Sequence, residues 1–431
     1  MRGKLLGLGA AALLSAGAFL ISGSTHTVKA QDLLGASFID NVKPYLEFRP
    51  RYEYVDVDGS SKDSANALTI RTKIGVKIGS LLGVQGLSAQ IEAIDVSALI
   101  DNYAPQKSKY ETVLDPHNTR ITQAFVVYGM GNYAFVAGRK YVIIDDHRFI
   151  GNVNWRQMPQ SLGVVAVAGK PLPNLNFLLA GVYERKGIVD KLNVDWHMDK
   201  MPIVLDVNYT YSPALKLKGF AYLLTDIHNT YGIKASGKIS LGDVKISYLG
   251  EYAKQTDPYE KDNLNTKPDI DTDYYRVKLG ASYGGFFGNV MYTMFGDADG
   301  KDAGFSTPLA TLHKFDGWSD VLLKGAAKGF YYGMNELCIS AGYKSKAIGK
   351  LMVAYLNFKA DKDQGALNSK DIGSEIDVLY AKKLTKRLSF LAKAAFYSAD
   401  DGYCIGATCN STTALGTKDV TKYWLQLDYK Y

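Results

Sequence analysis

The chain holds little cysteine, histidine or proline, and no long apolar run beyond its first thirty residues. Each shortage excludes something. Cys338, Cys404 and Cys409 are an odd set, which cannot pair completely, so a disulfide-stapled scaffold is ruled out. Cys404 and Cys409 are close enough in sequence to close one small loop in an oxidising compartment, while Cys338 sits in an apolar, strand-like run. Beyond residue 30 the histidines are His117, His147, His197, His228 and His313, none at ligand spacing to a cysteine or to one another. No metal and no cofactor are expected. Without an apolar stretch of about 18 residues after the N-terminus, a helical membrane protein is excluded. A membrane β-barrel is not, because its strands are apolar only at alternate positions.

What is present favours strands. Thirty Tyr and 42 Gly stand against 12 Pro, and 47% hydrophobic with 22% charged residues excludes disorder. Met1-Arg2-Gly3-Lys4, an apolar stretch from Leu5 to Ile21, and small residues at Val28-Lys29-Ala30 read as a secretory signal peptide over 1–30. Removing Arg2, Lys4 and Lys29, with no acid among them, takes the formal charge from +7 to +4. That balance does not suggest nucleic acid.

Residues 31–431 read as one domain of alternating segments. Leu46, Phe48, Tyr52 and Tyr54 oppose Glu47, Arg49, Arg51 and Glu53. Leu68, Ile70, Ile74 and Val76 oppose Thr69, Arg71, Lys73 and Lys77, and Tyr275, Val277 and Leu279 oppose Arg276 and Lys278. Such parity predicts strands at 44–56, 67–78, 87–96, 119–128, 133–139, 162–169, 175–184, 202–211, 215–224, 229–240, 243–255, 273–283, 286–295, 335–344, 350–359, 374–381, 387–398 and 422–430. Short and long connections mostly alternate, as they do when tight periplasmic turns face long outer loops. The expectation is an all-β, transmembrane, antiparallel up-and-down β-barrel of about 18 strands in a bacterial outer membrane, with lipid as its outer partner. Tyr45, Tyr54, Tyr133, Tyr183, Tyr211, Tyr283 and Tyr397 suit its interfacial girdles.

The polar parity then faces a lumen. Arg49, Arg51, Arg71, Lys73 and Arg276 are candidate pore-lining or substrate-binding residues. Guanidinium groups bind carboxylates bidentately, and cations in a low-dielectric wall focus positive potential along a pore. With Glu47 and Glu53 nearby, the same residues equally suit a structural ladder of paired charges. The long segment 140–161 lacks alternation and is dense in Arg, Asp and aromatics. It suits an inward fold that would bring Arg139, Arg148 and Arg156 to the path. A second long loop spans 296–334.

Gly138-Arg139, Asp145, Arg148-Phe149-Ile150-Gly151, Trp155-Arg156-Gln157 and Gln160 resemble the signature of the alginate-export family of outer-membrane proteins, as does Phe315-Asp316-Gly317-Trp318-Ser319-Asp320. The resemblance implies an 18-stranded barrel with an Arg-rich, electropositive pore passing an anionic polymer. The function expected is passive passage of anionic small solutes or an acidic polysaccharide such as alginate; a general or hydrophobic-solute porin is the alternative. No catalytic residue is expected. An Asp-His pair without a nucleophile is no triad, and His117, in a long outer loop, is the one position suiting a barrel-type enzyme.

Overall fold

The computed structural model describes residues 40–189, 194–195, 200–258 and 268–431; the leader expected over 1–30 and His197 lie outside them. Eighteen antiparallel strands close into a barrel. They are β1 (Asp40–Val57), β2 (Ala65–Gly79), β3 (Leu87–Asn102), β4 (Asn118–Met130), β5 (Tyr133–Lys140), β6 (Ser161–Leu172), β7 (Leu175–Lys186), β8 (Ile203–Ser212) and β9 (Leu215–Leu224). The second half comprises β10 (His228–Leu241), β11 (Val244–Thr256), β12 (Asp271–Tyr283), β13 (Phe286–Phe295), β14 (Met334–Ser345), β15 (Gly349–Lys359), β16 (Asp371–Lys383), β17 (Leu388–Ala399) and β18 (Val420–Lys430). Each coincides with an expected strand, with ends displaced by a few residues. A two-residue strand, Val194–Asp195, pairs with β7 outside this count.

Every strand pairs with its sequence neighbours. The ring closes where β1 meets β18, from Glu47 opposite Lys430 to Val57 opposite Val420. Closure leaves no unpaired edge, as a strand in hydrocarbon requires. Alternation sorts the side chains. Ile74, Ile233, Val277 and Leu279 stand exposed on the outer wall, while Arg49, Arg51, Arg71 and Arg276 face inward and are buried. Tight turns link even to odd strands. Between β12 and β13 Gly284 and Gly285 take φ of 55° and 92°, which a two-residue hairpin matched to strand twist demands and only glycine adopts freely.

Most of the Tyr girdle is outward: Tyr133, Tyr211 and Tyr283 are exposed, and Tyr54 stacks on Tyr423. Tyr45 and Tyr397 are exceptions. Tyr45 donates its hydroxyl inward to Glu92 at 2.8 Å, and the Tyr397 hydroxyl bonds the carbonyl of Ile372 at 2.9 Å. Both occupy the lumenal parity of their strands, so position at a strand end did not decide their side. Cys404 and Cys409 form a disulfide in the β17–β18 loop, and Cys338 is a free thiol.

Candidate functional site

The β5–β6 loop and the β13–β14 loop fold into the barrel and pack on each other. Gly151 N–H donates to Leu309 C=O at 2.9 Å, and Thr311 N–H to His147 C=O at 3.1 Å. Phe149 drives the β5–β6 loop against the wall, with its ring centroid 5.0 Å from Phe220, 5.5 Å from Tyr274 and 6.3 Å from Phe305. The cavity left where Phe149, Ile150 and Pro308 meet the wall at Tyr222 and Thr230 is only ≈ 10 Å³. These two loops together form an inward plug that narrows the lumen.

The arginines expected to line the path fasten this plug. Arg148 donates to Asp316 at 2.8 Å, joining one inward loop to the other. Arg156 binds Glu53 of β1 at 2.9 Å and Asp320 at 2.5 Å. Arg71 is paired with Glu47 and donates to Asn154 Oδ1 at 3.0 Å. Arg49 reaches Asp428 at 2.5 Å and the Asn154 carbonyl at 3.0 Å. Arg51 contacts Asp115 at 3.4 Å and donates to Gln426 at 2.8 Å and to the Trp155 carbonyl. Arg276 bridges Glu251 at 2.8 Å and Asp146 at 2.9 Å, and Lys73 lies 3.6 Å from Glu92. Arg71, Arg148 and Arg156 are at most 2% exposed. Charges so far from water persist only when paired and hydrogen-bonded, and here they are.

The loop acids complete the network. Asp145 is shared by Lys218 and Lys234, the latter at 2.7 Å. Burial alone would raise its carboxyl pKa, but these two lysines bring it below the ordinary range. The same contest, won by Arg276 and then Lys234, lowers Asp146. Asp115, from the β3–β4 loop, is fully buried and accepts Gln157 N–H at 2.8 Å, so a third loop reaches the plug. Nothing in the sequence singled Asp115 out beyond its neighbour His117, which stays exposed.

Lys393 of β17 enters a cage of aromatic rings. Its ammonium lies 3.7 Å from the Trp318 ring centre, 5.0 Å from Trp155 and 5.1 Å from Trp424, within cation–π range. The ammonium also contacts His313 Nε2 at 2.5 Å, while His313 Nδ1 faces Asp320 at 2.7 Å. A neutral ring satisfies both contacts, donating to Asp320 and accepting from Lys393. Burial, and then Lys393, keep the His313 pKa well below the usual value. His147, at the loop junction, is lowered to about 4 by burial and by Lys314.

Arg139 is a correction. It shares the parity of the exposed Tyr133 and Phe135, and lies opposite Ala124 and Gly163 on the outer face. There it holds Glu184 at 2.8 Å and donates to the Ile121 carbonyl. β5 keeps its alternation through residue 140, so the inward position falls to Lys140 and the loop begins one residue later.

Towards the short turns the inner wall changes character. Lys216, Lys238, Lys245, Lys278, Lys344 and Lys350 lie on the inward parity of β9, β10, β11, β12, β14 and β15. Among the described residues none of them lies within 4.0 Å of a carboxylate, unlike Lys234 and Arg276 higher up. Paired cations hold the plug, and unpaired cations face the passage beneath it.

No protein-family model and no curated protein matches the chain. Solved structures of Occ and Opd outer-membrane porins do resemble it. Pseudomonas aeruginosa OccK8 (OprE) aligns at 15% identity and TM-score 0.67, covering 92% of this chain and 99% of that one. Acinetobacter baumannii OccAB3 aligns at 14% and 0.68, over 91% and 100%. Pseudomonas aeruginosa OpdK, solved with vanillate, aligns at 12% and 0.66, over 91% and 99%. The fold is a porin-like 18-stranded barrel. The likeness does not single out the alginate-export family.

Proposed function

We propose that this chain is an outer-membrane channel that passes small anionic solutes by passive diffusion. The observation that carries the reading is the sorting of charge along the lumen. Carboxylates gather at the plug and are used there in pairs, while inward lysines without acidic partners line the wall below. A permeant anion is attracted to that wall, and a cation is repelled. Vanillate, with which OpdK was solved, is an aromatic carboxylate, an anion of the kind such a wall suits. Long outer loops, an apolar outer band and a sealed ring support an outer-membrane setting. The reading involves no chemical step, and exposed His117 has no assigned role.

An acidic polysaccharide such as alginate is the finer reading that the Arg148 to Gln160 and Phe315 to Asp320 patches suggest. A second reading, a general porin with structural lumen charges, is favoured by one observation: each inward arginine expected to line the path is held by an acid. Swelling of liposomes containing the protein separates these. Benzoate-sized carboxylates should enter faster than neutral sugars of equal size. Equal rates would favour the general porin, and entry of oligouronates the polysaccharide.

A further inference from the structure

β14 and β15 place Lys344 directly opposite Lys350 on the inner wall. Like charges directly across a strand pair destabilise a sheet. The fold supplies no relief: among the described residues no carboxylate comes within 4.0 Å of either ammonium. Lys278 on β12 and Lys245 on β11 extend the cationic stretch, Lys245 lying opposite Ser282. Adjacent strands are about 5 Å apart, so the four side chains rim one concave stretch of wall across five strands.

Part of the floor between them is small and polar. One cross-strand row reads Ser247, Gly280, Asn289, Ser340. Asn289 Nδ2 donates to Ser340 Oγ at 3.2 Å. A Cβ on Gly280 would lie 2.6 Å from Asn289 Oδ1 and 2.8 Å from Ser247 Oγ, so these polar groups close over the glycine. Lys350 is steadied with its ammonium 5.4 Å from the Phe287 ring centre. Lys245 and Lys344 are exposed and Lys278 and Lys350 half-buried, so all four remain open to solution.

We propose that Lys245, Lys278, Lys344 and Lys350 form a binding site for a multivalent oxyanion, a polyphosphate or polycarboxylate, entered from the short-turn side of the barrel. It deepens the anion-channel reading and rests on it for its physiological sense. Ammonium groups on strands β11 to β15 present several separated point charges, which an anion with several charged oxygens engages together and chloride does not. A multivalent anion held by these lysines obstructs the passage, so binding is read as block of the ion current.

Inorganic triphosphate is added to either side of single channels in planar bilayers, with orientation assigned by a tag at exposed Thr412. Block from the short-turn side is expected at a concentration about tenfold or more below that needed from the loop side, weakening steeply between 0.1 and 1 M KCl. Monovalent phosphate analogues should block far less. Lys278→Gln with Lys350→Gln should weaken the one-sided block about tenfold or more. Lys344→Gln alone, which relieves a repulsion and so should fold at least as well, should weaken it in part. Equal block from both sides, or block unchanged in Lys344→Gln, would overturn the site. A cation preference with one-sided block intact would sink the channel reading and leave the site standing.

Discussion

Arg148 and Asp316, 168 residues apart, meet at 2.8 Å with both side chains out of water, and their contact joins the two inward loops. Removing one partner strands the other charge in a desolvated site, which costs about 3–5 kcal/mol. Arg148→Met should therefore release the plug: single-channel conductance rises and the loops become open to protease, while the barrel persists. Arg148→Met with Asp316→Leu removes both charges and should bring the conductance back towards that of the parent. Unchanged conductance in the single variant would mean that the contact does not hold the loops.

Acid should loosen the same assembly. His147 and His313 bind fewer protons folded than unfolded, because burial and the nearby Lys314 and Lys393 depress both. Stability of the plug is thus full above about pH 6.5 and falls as pH drops below that value, for His147 down to about 4. Trp155 stacks on His313, and Trp318 lies beside it, so tryptophan fluorescence reports the change. A transition as pH falls below about 6.5, shifted or lost in His313→Gln, is expected. A flat profile would remove His313 from the account.

Lys393→Met tests the cage apart from the histidine. The apolar stem still packs among the rings, but His313 loses its donor and three tryptophans lose their cation. Loss of about 1–2 kcal/mol of plug stability is expected, visible as a higher midpoint pH or more frequent opening. A variant indistinguishable from the parent in both would show the cage to be mere packing.

The two faces of one strand should differ sharply. Leu279→Arg places a charge on the outer wall, where Leu279 is 59% exposed, and should cost about 2–4 kcal/mol in unfolding from lipid vesicles. Lys278→Gln, one residue away and inward, should be close to neutral. Similar costs for both would contradict the assignment of faces.

The strands were legible because a barrel wall obeys one rule at every position, and residues such as Ile74 and Arg71 declare their sides by polarity alone. Arg139 was misplaced because its charge was read without its parity: a strand extending through Lys140 sends it outward to Glu184. Tyr45 has the place of a girdle residue, at a strand end, but the parity of Glu47, and parity sends it inward. The inward loops were foreshadowed by their composition, but their partners were not. Asp115, Asp320 and Lys393 meet Arg156 or His313 across long sequence distances, and no local pattern encodes such contacts. The unpaired lysines were visible one by one. Their lack of acids emerged only when the register set strands side by side.

The most direct test of the account is the sign of the reversal potential of single channels in a KCl gradient. Chloride should carry most of the current, and its share should fall when Lys245, Lys278, Lys344 and Lys350 are all changed to Gln. A potential of the opposite sign, with potassium preferred, would contradict the claim that anions pass along this wall.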